Sequence, residues 1–304
     1  MSELIKRVLV AVIGIPIAML IVYEGDIAFI ISILIISSLA LYEFYKIAEK
    51  KDSSPNYLLG FLFNTFIILT YGFCLEIFEI LNIKSFQIWL FFVISISTFT
   101  TLVMGSEVFR SKRNPLSNIG YTLLGTIYVS FSFSIFIVIR GLHELKNISV
   151  QSIIDFEEQS SILRIFDDEF CMLFFMFILF SVWISDSAAY FIGKSFGKNK
   201  LAPKVSPKKT WEGAVAGFVG GVGGFVVLSF FFLKEFPLLH AIIIGVIIGS
   251  IGQIGDLAES LIKRDAGVKD SSSIIPGHGG VLDRFDSLLL IMPIILLYLV
   301  IIGN

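Results

Sequence analysis

The sequence predicts an all-α, polytopic integral membrane protein of about nine transmembrane helices. Three observations predict it. Of 304 residues, 56% are hydrophobic and only 16% are charged, too little polar surface for a soluble domain of this length. The apolar residues fall in long continuous runs instead of alternating every second position, which selects helices over a barrel. The basic residues of the connecting segments alternate in density from one connection to the next.

The runs cover approximately 8–23, 27–41, 57–75, 86–104, 119–139, 170–192, 213–233, 238–255 and 286–302. A helix needs about 20 residues to cross the hydrocarbon core. The second run is the shortest and borrows from its flanks. Lys6 and Arg7 before VLVAVIGIPIAMLIVY have the look of a signal peptide. No small-residue cleavage site follows, and more apolar sequence does, so the stretch reads as a retained first span.

With the amino terminus in the cytoplasm, the outer segments hold Lys84, Arg140, Lys146, Arg164 and Lys234. The other 18 of the 23 Lys and Arg residues fall on inner segments. This asymmetry supports the span count, places the carboxyl terminus outside, and suits a multi-pass protein of the cell (inner) membrane. Residues 1–140 read as an amino-terminal scaffold of helices. Residues 141–169 form an acidic outer loop that reads as a solvated surface. Residues 170–304 read as the chemical half, because the Gly-, Pro-, Lys-, Ser- and Asp-rich inner segments 193–212 and 256–285 both lie there. A net charge of −2 and the lack of a basic tract with interleaved aromatics exclude a nucleic-acid partner. Cys74 and Cys171 have no metal-type spacing and read as packing residues. No internal repeat supports a transporter of duplicated halves.

Three polar clusters carry the chemistry. In GDLAESLIKRDAGVKD, Asp256, Glu259, Ser260 and Lys263 share one face if the eighth helix extends past the membrane. Taken alone, that face is an amphipathic helix end. In PGHGGVLDRFD, Asp283 and Asp286 are three apart and point the same way in a helix. As an N-cap and a dipole-favoured acid they are half explained. Two carboxylates on one face repel unless a cation lies between them, and hard oxygens suit Mg²⁺. Gly277, Gly279 and Gly280 allow close backbone approach, with N–H groups to cradle phosphate. His278 donates to a phosphate or to its own loop. In SDSAAYFIGKSFGKNKLAPKVSPKKTWEG, Asp186 lies inside the sixth span, where an acid costs roughly 2.5 kcal/mol or more unless it faces a polar cavity. Lys208 and Lys209, just before the seventh helix, present cations and a helix N-terminus to an anion. GKSFG at 193–197 satisfies a serine-hydrolase pattern, but it follows a membrane helix instead of a strand, so Ser195 is not read as a nucleophile. Gly213, Gly217 and Gly221 allow close helix contact, either inside the chain or across a homodimer.

The stretch Ser260–Asp286 resembles the diagnostic motif of the phosphatidate cytidylyltransferase (CDP-diacylglycerol synthase) family. Ser260, Lys263, Arg264, Lys269, Asp270, His278, Gly279, Gly280, Asp283, Arg284 and Asp286 stand at that motif's spacing. SDSAAYFIGKSFGK and SPKKTWEG resemble its upstream segments, so the resemblance covers about 183–290. It implies transfer of the CMP moiety of CTP to phosphatidate in phospholipid biosynthesis, giving CDP-diacylglycerol and pyrophosphate with Mg²⁺. It also implies that Asp256, Asp283 and Asp286 hold the cations, with room for a second, monovalent ion such as K⁺. Lys208, Lys209, Lys263, Arg264 and Lys269, with Arg284 nearby, would neutralise the triphosphate or the lipid headgroup at the cytoplasmic surface.

Overall fold

The computed structural model describes residues 3–73, 85–143, 165–275, 277 and 279–303, without the side chains of 3–9, 11, 85–91 and 303. Nine helices occupy the described residues: α1 (Glu3–Glu24), α2 (Asp26–Glu49), α3 (Tyr57–Gly72), α4 (Ser85–Arg110), α5 (Pro115–Arg140), α6 (Asp168–Phe196), α7 (Trp211–Phe232), α8 (Leu238–Asp265) and α9 (Leu282–Gly303). They coincide with the nine apolar stretches, and seven are long and apolar enough to cross a membrane. The chain is an all-α polytopic membrane protein.

Most helices run beyond their apolar stretches. α2 continues to Glu49, and α8 carries Asp256 to Lys263 as helix before ending at Asp265. The ends are set by local chemistry. The side chains of Asn56, Asp167 and Thr210 accept hydrogen bonds from the N–H groups of Leu59, Phe170 and Gly213, capping α3, α6 and α7. α5 holds a π turn at Thr126–Phe131. The Thr122 carbonyl just before it receives the Thr126 hydroxyl (2.7 Å) and the Tyr45 hydroxyl (3.0 Å), side-chain donors that compete with the helix ladder.

The segment 193–212, read from sequence as an inner loop, is more ordered than that. α6 runs through Phe196, and β1 (Lys200–Ala202) pairs antiparallel with β2 (Ser206–Thr210), Lys200 opposite Thr210. This hairpin leads directly into α7. Gly193 and Gly197 pack under Thr210, where an added Cβ at Gly197 would sit 2.6 Å from the threonine side chain. The glycines of GKSFG therefore serve helix–hairpin packing, and Ser195 is helical.

The core is aromatic. Phe133, Phe136, Phe174, Phe175 and Phe225 are fully buried among the side chains of α2, α5, α6, α7, α8 and α9. Cys171 is buried there too, as a free thiol; Cys74 lies outside the described residues. The glycine seam of α7 is used inside the chain. A Cβ at Gly213 would lie 2.7 Å from the Ala189 carbonyl of α6, one at Gly217 3.2 Å from the Ser185 carbonyl, and one at Gly221 2.9 Å from Gly249 of α8. Of the two partners left open by the sequence, these contacts are with neighbouring helices of the same chain.

Side-chain contacts sort the connections into two ends. At one end Lys51 bonds Asp265, Asn114 bonds the Asp52 carbonyl, and Lys209 of β2 pairs with Asp256. At the other, Arg140 is buried and gives its guanidinium to the Val22 carbonyl (2.8 Å) and Asp168 (2.5 Å), while His240 meets Tyr298. Arg140, counted from sequence among the basic residues of the outer segments, is buried at this end. The acidic loop lies mostly outside the described residues, at 144–164.

The seam gives a direct test. Gly213→Val forces α7 away from α6 and is expected to destabilise by about 1–3 kcal/mol, the usual range for overpacking. Gly223→Ala, with nothing within 4 Å of the new methyl group, leaves the chain unaffected. Thermal midpoints of the two purified variants in detergent check this pair.

Candidate active site

The polar end of the bundle holds a cavity of about 640 Å³ between α6, the β1–β2 hairpin, α7 and α8. Asp186, Tyr190 and Lys194 of α6 line it, with Lys200, Lys208 and Lys209 of the hairpin and Gln253 and Asp256 of α8. Its position follows from close backbone approach. Ser185 donates to the Gly217 carbonyl (2.8 Å), and Gln253 donates to the Ala214 carbonyl (2.9 Å), tying α6 and α8 to α7 around the cavity floor. The hairpin folds Lys209 over it, and Lys209 Nζ pairs with Asp256 Oδ2 at 2.6 Å. Lys208 is exposed beside it.

α9 brings the third carboxylate. A Cβ at Gly255 would sit 2.7 Å from the Asp286 carbonyl and 3.0 Å from Ser287 Cα, so α8 and α9 touch backbone to backbone beside Asp256. Phe285 anchors this turn against Phe133 with ring centroids 5.2 Å apart. The charges of Asp186, Asp256 and Asp286 act on one another as a result, and Lys209 and Arg284 partly offset them at Asp186. Asp186 and Asp256 line the cavity and Asp286 stands at the adjoining α8–α9 contact; ionised carboxylates this near one another repel, and a cation between them would relieve the repulsion. Among the described residues no group of three or more acidic, His or Cys side chains could by itself hold a metal ion. Mg²⁺ commonly takes only one or two carboxylates, with water and substrate phosphates completing its shell.

The grouping differs from the one read off the sequence. Asp186 joins Asp256 and Asp286, while Asp283 turns away to the preceding segment. Asp283 accepts from Lys263 Nζ (2.6 Å), from the Ser271 N–H (3.0 Å) and from the Gly280 N–H (2.8 Å). At the first turn of a helix, free amides lie within reach of a short acid, and three donors outweigh the helical tendency to parallel Asp286. Lys263 is likewise occupied: it is buried, and its ammonium is shared between Asp283 and Glu259 of its own helix. Gly280 gives its N–H to Asp283, so that amide does not face a phosphate here. Gly279 adopts φ +81°, a conformation that favours glycine, and a Cβ there would lie 2.5 Å from the Asp283 carboxylate. Arg264 is exposed and bonds the Val268 carbonyl (2.8 Å); Lys269 and Arg284 are exposed at the same end. His278 lies outside the described residues.

Three residues were missed from sequence: Lys194 and Lys200, which line the cavity, and Glu43. Glu43 of α2 is fully buried and accepts hydrogen bonds from Ser271, Ser272, Val281 and Leu282. Its signal was present, since an acid between Leu41 and Phe44 inside a membrane helix needs a polar partner. The apolar stretch ending at 41 had left it in a flank.

Comparison with known proteins shows the family. Residues 5–302 match the cytidylyltransferase family. The chain is 33% identical over 297 residues to the phosphatidate cytidylyltransferase of Bacillus subtilis, covering 96% of both chains. It is 48% identical over 130 residues to the Haemophilus influenzae protein of that name (40% of this chain, 43% of that one), and 42% identical over 127 residues to the Staphylococcus saprophyticus one (42% and 49%). With a match over nearly its whole length, and with the motif acids and lysines gathered at one end of a helical bundle, the chain belongs to the cytidylyltransferase family.

Proposed function

We propose that this protein transfers the CMP group of CTP to phosphatidate, forming CDP-diacylglycerol and releasing pyrophosphate. The observation that carries this reading is the cavity itself, where lysines from α6 and the hairpin face Asp186 and Asp256 at the end of a membrane bundle, with Asp286 at the adjoining α8–α9 contact. Its volume lies in the range of about 300–1,000 Å³ typical of small-molecule sites. The relatives named above carry the same activity in their names.

In the reaction a phosphate oxygen of phosphatidate attacks the α-phosphorus of CTP. The bond to the α–β bridging oxygen breaks, and pyrophosphate leaves with that electron pair. Both reactants are anions, so the protein must lower the repulsion between them. Lys194, Lys200, Lys208 and Lys209 are placed to hold the polyphosphate. The nucleophile is already ionised near neutral pH, and no strong base is required. Asp256 and Asp286, with Asp186 beside them, would hold Mg²⁺, whose charge stabilises the reacting phosphate oxygens. The same carboxylates would accept a monovalent ion such as K⁺. Asp283 would join them only on releasing Lys263.

The distribution of basic residues supports an orientation. The basic connections gather at the end that carries the cavity, so this end faces the cytoplasm of the cell membrane by the positive-inside rule. Nine spans then leave the carboxyl terminus outside.

Four measurements check these statements. CTP labelled at the α-phosphate, incubated with phosphatidate and the purified protein, is expected to pass its label into lipid; a lipid-alcohol kinase using CTP would leave the lipid unlabelled. Chelation with EDTA should stop the transfer and added Mg²⁺ restore it, and Asp256→Asn or Asp286→Asn should reduce turnover by about 10²-fold or more without blocking membrane insertion. A topology reporter fused after Asn304 should report a non-cytoplasmic location, and a cytoplasmic signal would reverse the assignment.

A further inference from the structure

The carboxylate of Glu43 joins both ends of the segment that precedes α9. Its Oε1 accepts from the Ser272 hydroxyl (2.6 Å) and the Val281 N–H (2.9 Å). Its Oε2 accepts from the Ser271 hydroxyl (2.8 Å) and the Leu282 N–H (2.7 Å). Each oxygen thus takes one serine from the start of the segment and one amide from its end. No salt bridge among the described residues involves Glu43. Its charge is instead met by four neutral donors and by the positive end of the α9 dipole. The N-cap expected of Asp283 is therefore supplied from a different helix, about 240 residues away in sequence. Gly280 lacks a side chain where one is impossible, since a Cβ would overlap the Glu43 carboxylate and the Ser271 hydroxyl.

A bond network confined to stability would need no connection to the acids. This one has two. Ser271 also gives its N–H to Asp283, whose other partners are Lys263 and the Gly280 N–H. Leu282 opens the helix whose first turns carry Asp283, Arg284 and Asp286. Movement of this start shifts Asp286 relative to Asp256, and a misplacement of about 1 Å can cost on the order of 10²-fold in rate. We propose that Glu43 is a positioning residue for nucleotidyl transfer: it clamps Ser271–Ser272 to the first amides of α9 and so sets Asp286 against Asp256. This rests on the assignment of those acids to the reaction given above.

Glu43→Gln tests it, because a carboxamide nitrogen cannot accept from either the amide or the serine opposite. In the purified, monodisperse full-length variant, kcat is expected to fall at least about tenfold while KM for CTP stays within about twofold, since the cavity lysines sit on other elements. Hydrogen exchange at Val281 and Leu282 should quicken by about tenfold or more, with the α7 amides unchanged. A folded variant with wild-type kcat overturns the proposal, whether exchange quickens or not, because Glu43 would then be structural only. If Glu43→Gln does not accumulate, Ser271→Ala/Ser272→Ala removes two of the four donors and leaves the carboxylate in place. Lower kcat with faster exchange in that pair supports the proposal, and wild-type values of both refute it. Asp286→Asn run in parallel separates the two claims. Full activity there overturns the assignment of the acids, whereas loss there with a wild-type Glu43→Gln overturns only the role of Glu43.

Discussion

A buried ammonium shared between two carboxylates holds the polar end of this protein together. Lys263 lies between Glu259, one helical turn before it, and Asp283 at the start of α9. Removing one partner from such a group leaves an uncompensated buried charge and typically costs about 3–5 kcal/mol. The arrangement links α8 to α9 by charge where Gly255 already brings their backbones into contact. Asp283 extends the link to the preceding segment through the amides of Ser271 and Gly280. Much of the motif therefore acts on itself: one of its lysines, one of its acids and one of its glycines secure the local structure at this end of the bundle.

Asp186, Asp256 and Asp286 are gathered by small residues instead of by attraction. Three carboxylates would separate if their helices were free to move. They are kept close because Gly213, Gly217 and Gly221 seat α7 against α6 and α8, and Gly255 seats α8 against α9. The energy for this comes from the aromatic and aliphatic core beneath the site, through dispersion and close helix packing. A cation bound between such carboxylates would relieve their repulsion. Preorganisation of this kind places the electrostatic work in the folding of the bundle and leaves little to be rearranged during turnover.

The location of the polar cluster fits a lipid headgroup. Phosphate groups of membrane lipids reside at the interface, so groups acting on them must sit where helices leave the apolar region. α9 begins with Asp283, Arg284 and Asp286 and then runs uncharged to its end. α8 presents Asp256 to Lys263 on its final turns. Both helices deliver charge to the boundary and apolar surface to the membrane, which explains why carboxylates stand directly against a hydrophobic run.

The number of helices and their approximate bounds were legible in the sequence, because both are dictated by the local cost of placing polar groups in hydrocarbon. Most of the candidate acids and lysines were legible too, since charged residues in or beside membrane helices are rare enough to stand out. The pairing among them was not. Helical spacing put Asp283 parallel with Asp286, but free amides at a helix start and a lysine from α8 drew it away, and Asp186, some 70–100 residues upstream of its new neighbours, took its place. Lys209 reached Asp256 through a hairpin that the Pro- and Lys-rich composition concealed. Glu43 read as the flank of an apolar helix until the segment before α9 closed over it. Sequence alone determined which residues must avoid lipid; only the tertiary structure decided which of them meet, because hydrogen-bond partners and close backbone approach depend on helices that are distant along the chain.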